Sequence, residues 1–128
     1  MKKNLTLLTL LFSVFVFAQK TMQITPKKHI PAKGFYLKLK NVFDDSRCPE
    51  GVTCIWAGEV STTIEVYNNK KLIKEKNMTF NASNRVENIK WFENYISKKI
   101  KGIGIDPYPT QGRIIKPKDQ YINIVFVD

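Results

Sequence analysis

Cys48 and Cys54 are the residues whose chemistry is easiest to name, because they are the only thiols in the chain and five residues separate them. In an oxidising compartment an isolated pair this close in sequence is most simply a disulfide. Pro49 fixes one φ between them and Gly51 permits a tight reversal. In the chain-entropy account, closing so short a loop stabilises the fold by about 2 kcal/mol. Two competing uses of the thiols fit less well. Redox pairs usually have two intervening residues at a helix start, whereas Pro49 and Gly51 describe a turn. A structural zinc site needs four ligands, and the chain adds one histidine, His29, to the two sulfurs.

Groupings for catalysis are sparser still. His29 sits between Lys28 and Ile30 with no serine or cysteine nucleophile placed by a local motif, so a triad is hard to assemble. Carboxylate pairs such as Asp44 with Asp45, or Glu87 with Glu93, have the residue types for acid–base work on a glycoside. Nothing distinguishes them from ordinary surface charge. Gly102 and Gly104 lie inside a strand pattern and do not form a phosphate-cradling loop. The expectation is therefore a protein that is not an enzyme and that uses neither metal nor cofactor.

The most specific segment runs from Asp44 to Val60, Asp-Asp-Ser-Arg-Cys-Pro-Glu-Gly-Val-Thr-Cys-Ile-Trp-Ala-Gly-Glu-Val. One reading is structural: a stapled loop that fixes the entry to a strand, with Trp56 laid on or near the disulfide, Gly58 bending the chain, and Arg47 paired locally with Asp44 or Asp45. The other is functional. Asp45, Arg47, Glu50 and Trp56 would then form a rigid, exposed binding surface, since a pinned loop loses less entropy on binding than a free one. A tryptophan beside charged groups suits a sugar ring or a protein partner.

The same segment resembles a motif of small exported bacterial proteins and lipoproteins of unassigned function, in which Asp-Ser-Arg-Cys-Pro precedes Cys-x-Trp-Ala-Gly. The match is close over Asp45 to Gly58. A strand ending in Pro-Tyr-Pro, here Pro107 to Pro109, and a last strand opened by a tyrosine, here Tyr121, fit the pattern more loosely. The resemblance implies an exported β-rich domain with that disulfide loop and brings no activity. This chain departs from the lipoprotein members in lacking the cysteine that would be acylated.

Export is also read from the first eighteen residues, where Lys2-Lys3 precedes an apolar run from Leu5 to Phe17 and then Ala18. That is the form of a secretory signal, with cleavage expected after Ala18. The run is too short and too interrupted for a membrane span of about 20 residues. The mature chain, residues 19–128, is one domain in size with no transmembrane span. It would be secreted or periplasmic, with 19 basic and 11 acidic residues. A +8 charge suits anionic polymer through Coulomb attraction, while export argues against nucleic acid. Most lysines alternate with apolar residues, as Lys38 and Lys40 do with Leu37 and Leu39, and read as a solvated sheet face. Only Lys70-Lys71 and Lys98-Lys99 are dense.

The elements that must position these residues are mostly strands. Phe35 to Val42 and Val60 to Tyr67 alternate in the manner of half-buried strands. Asn68-Asn69 predicts a hairpin turn into a strand from Leu72 to Phe80. Residues 81–97 read either as a short helix through Trp91, with Phe92, Tyr95 and Ile96 on one face, or as an irregular crossover. Ile100 to Ile105 is a strand with glycines suited to a bulge, stopped by prolines. Ile114-Ile115 opens another short piece. Tyr121 to Val127 is apolar on both faces and belongs in the centre of a sheet, and Met22 to Thr25 suits an edge strand. Six to seven strands, at most one helix and one disulfide predict an all-β antiparallel sandwich, favoured over a small barrel.

Overall fold

The computed structural model describes residues 20–27, 30–32 and 34–127. The expected signal segment, its expected cut after Ala18, and His29 lie outside the described residues. Among the described residues seven strands form two antiparallel sheets: β1 (Thr21–Ile24), β7 (Tyr121–Phe126) and β6 (Ile100–Asp106) in the order β1-β7-β6, and β2 (Ile30–Ala32), β3 (Phe35–Phe43), β4 (Val60–Asn68) and β5 (Lys71–Phe80) in the order β2-β3-β4-β5. The sheets face one another as a sandwich rather than closing into a barrel. One helix, α1 (Arg85–Glu93), crosses from β5 to β6.

The core follows from the alternation. Leu37 and Leu39 of β3, Ile64 and Val66 of β4, and Ile122 and Ile124 of β7 are fully buried between the sheets, and burial of each large side chain contributes about 1.5–3 kcal/mol. β7 is the central strand of its sheet, as its two apolar faces predict. β1 takes the edge position expected of the Met22 segment. β6 bulges between Ile100 and Gly102, where the glycine pattern suggested it.

Two expectations shift, and one alternative is decided. The hairpin turn lies one residue later than Asn68-Asn69: Asn68 pairs with Lys71, and the two residues with positive φ are Asn69 (51°) and Lys70 (65°), the two-residue turn whose twist matches the strands. Ile114-Ile115 is not a strand. Ile114 is exposed, and the chain runs on into a single 3₁₀ turn at Pro117–Asp119. Of the two readings of residues 81–97 the helix is the one formed: the segment contains α1, with Phe92 fully buried and Ile96 buried just beyond the helix end. Trp91, Phe92, Tyr95 and Phe35 form a packed ring cluster, with centroids of Trp91 and Tyr95 4.9 Å apart. Among the described residues no helix is long and apolar enough to cross a membrane.

Candidate functional site

The connection from β3 to β4 carries the stapled segment. Cys48 and Cys54 are joined in a disulfide, and backbone bonds zip the two arms of the loop beneath it. Ser46 N donates to Glu59 O at 2.8 Å and Cys48 N to Ala57 O at 3.0 Å. The Ser46 hydroxyl accepts from Glu59 N at 3.1 Å. At Gly58, with φ +74°, a Cβ would lie 1.9 Å from Ser46 O, so this crossing of the arms is open to glycine alone.

The loop is also tied to the opposite sheet. Arg47 donates from Nε and Nη2 to both carboxylate oxygens of Asp45, at 2.9 and 2.8 Å, in the bidentate geometry that makes such pairs strong. Its Nη1 donates to Ile105 O on β6, and its guanidinium lies 5.2 Å from the ring centroid of Tyr108. The Tyr108 hydroxyl in turn donates to Cys48 O at 2.8 Å. Burial of the Asp45 carboxyl acts to raise its pKa, but the hydrogen bonds and charge of Arg47 outweigh this and hold it below the usual aspartate value. Glu50 makes a second tie through its backbone, donating to Pro109 O at 2.9 Å and accepting from Gln111 N at 3.0 Å.

The four residues singled out as a binding surface therefore separate. Asp45 and Arg47 are brought together, but the Arg47 side chain is only 9% exposed and works inward as a clamp. Glu50 is exposed and serves the fold through its main chain. Trp56 is 79% exposed and is not part of the core. Beside it Ile55 is wholly exposed, and Val52 is 40% exposed. A pinned loop thus carries an apolar tip into solvent. Protein-family models, curated proteins and solved structures yield no match to the chain.

Sequence reasoning missed Ile55, Ile105 and Tyr108. Ile55 had a usable signal: two adjacent apolar residues between Cys54 and Gly58 cannot both face inward in so short an arm. Tyr108 was visible only as the centre of Pro-Tyr-Pro, and Ile105 O is a backbone acceptor that no side-chain pattern marks. Among the described residues no group of three or more His, Cys, Asp or Glu side chains is arranged to hold a metal ion.

Proposed function

We propose that the domain is an exported, non-enzymatic interaction module that binds an envelope protein or glycan through the tip of its stapled loop. The observation that carries this reading is the pair Ile55 and Trp56, exposed side by side on a loop closed by a disulfide and by paired backbone arms. An exposed tryptophan leaves a large apolar ring in water, and interfaces are enriched in such anchors. Preorganisation reduces the ordering cost that a mobile loop would incur on binding. Export is supported by the disulfide, which persists in oxidising compartments, and by the leader-like first eighteen residues. Membership among the small exported bacterial proteins and lipoproteins that carry the same motif is part of the proposal.

A second reading rests on β5. Residues 71–77 are exposed along an outer strand and include Lys71, Lys74 and Lys76, a surface suited to anionic envelope polymer. Salt separates the two. In a pull-down from envelope extract, capture by the loop tip survives moderate salt and is lost on Trp56→Ala or on reduction. Capture by charge falls steeply between low and moderate ionic strength and ignores both treatments. Capture that persists through all three conditions removes the basis of both readings.

A further inference from the structure

β6 is an outer strand of its sheet, so alternate residues present N–H and C=O groups away from β7. Two of these outward carbonyls are taken by arginines. Arg85 Nη2 donates to Lys101 O at 3.2 Å, and Arg47 Nη1 donates to Ile105 O. Alternation past the bulge then places the N–H and C=O of Ile103 on the same edge, midway between the two. Among the described residues no side chain or loop backbone bonds to them. In front of this edge lies a cavity of about 380 Å³ whose apolar lining includes Val60, Phe80, Ile103 and Ile105, within the size range of small-ligand sites. The two arginine-bonded carbonyls are four residues, or about 13 Å, apart along the strand.

The charges at the two ends differ. Arg47 is neutralised by Asp45. Arg85 also lines the cavity, yet it is exposed, makes one hydrogen bond, and has no carboxylate partner among the described residues. Its remaining N–H donors form the planar fork that matches a carboxylate. At the Ile105 end Asp106 lines the cavity without a cation partner among the described residues.

We propose that this notch docks the carboxyl-terminal end of an extended peptide. The terminal carboxylate sits on Arg85, the peptide main chain pairs with Ile103, and an apolar last side chain enters the cavity against Val60 and Phe80. With the carboxylate at the Lys101 end, the peptide runs antiparallel to β6. Upstream of Ile103 the peptide leaves the edge, because Arg47 holds the Ile105 carbonyl. An open strand edge gives such a peptide main-chain affinity, and the cavity and charges give it specificity. A small carboxylate without a main chain would leave the Ile103 groups to water.

The test is a titration of the ¹⁵N-labelled, oxidised domain to millimolar ligand with three probes. These are a pool of free-acid tetrapeptides ending in Leu, Val, Ile or Phe, the same pool as C-terminal amides, and benzoate. The expected result is saturable shifts at the Ile103 and Ile105 amides with slowed exchange at Ile103 for the free acids. Amidation or Arg85→Gln weakens binding by about tenfold or more. Arg85 is exposed, so its replacement leaves the fold intact, and Ala82→Phe, at another exposed lining position, blocks binding independently. Trp56→Ala leaves all of this unchanged, which separates the notch from the loop tip. Equal shifts from the amide pool, no free-acid response at Ile103, or benzoate reproducing both the shifts and the slowed exchange would overturn the proposal.

Discussion

At Gly58 a methyl group would meet Ser46 O at 1.9 Å and Arg47 Cα at 2.9 Å on a backbone with φ +74°. Gly58→Ala is expected to cost at least about 2 kcal/mol, read as a fall in melting temperature of about 8 °C. Gly104 has open space around its Cβ position and no left-handed φ, so Gly104→Ala should leave the melting temperature unchanged or raise it slightly. Asp45 gives a pH dependence whose sign is fixed by its lowered pKa. The stability it contributes is complete above the unfolded value, about pH 3.9, and is lost as pH falls through the lower folded value. Asp45→Asn should therefore flatten the acid limb of a plot of stability against pH below about 4. An unchanged limb would remove the ion pair from the account. The pairing of Arg47 with Asp45 was legible because only one residue lies between them. Its reach to Ile105, 58 positions away, was not, since no local rule ties a guanidinium to a distant main-chain carbonyl.

Among the elements, the β4–β5 hairpin was readable in kind and misplaced by one residue, because two adjacent asparagines tolerate positive φ equally well in sequence. The structure puts the second positive φ on Lys70, a residue with a Cβ to accommodate. Lys70→Gly is expected to raise stability by about 0.5–1 kcal/mol, measurable by urea denaturation with an unchanged m-value. The helix resisted reading for a different reason. Its inward positions include a polar residue, Asn88, whose Nδ2 donates to Thr79 O at 2.8 Å, while Val86 points to solvent at 65% exposure. A hydrophobic period cannot reveal a helix that buries an asparagine and exposes a valine. Ile114 misled in the opposite sense, since an apolar pair preceding Pro117 resembles the start of a strand, while Ile114 in fact points into solvent and Ile115 is half-buried outside any strand.

For the whole molecule, the strand count and turn spacing were enough to predict two packed antiparallel sheets, whereas the ties between loop and sheet needed three dimensions. The core surrounds β3, β4 and β7, and the disulfide lies outside it on a surface loop. Cys48→Ser is thus expected to lower the melting temperature by several degrees, in line with about 2 kcal/mol, without abolishing the fold. Two titratable thiols in protein from its native compartment would contradict the staple. The order β1-β7-β6 has a further consequence for how the chain comes together. Its middle strand is the last of the three to be synthesised, and Thr21 pairs with Val125 across almost the whole polypeptide. No rung of that sheet can form until residues 121–126 have left the ribosome, so it assembles late, after β3, β4 and β5 are already free to pair with one another.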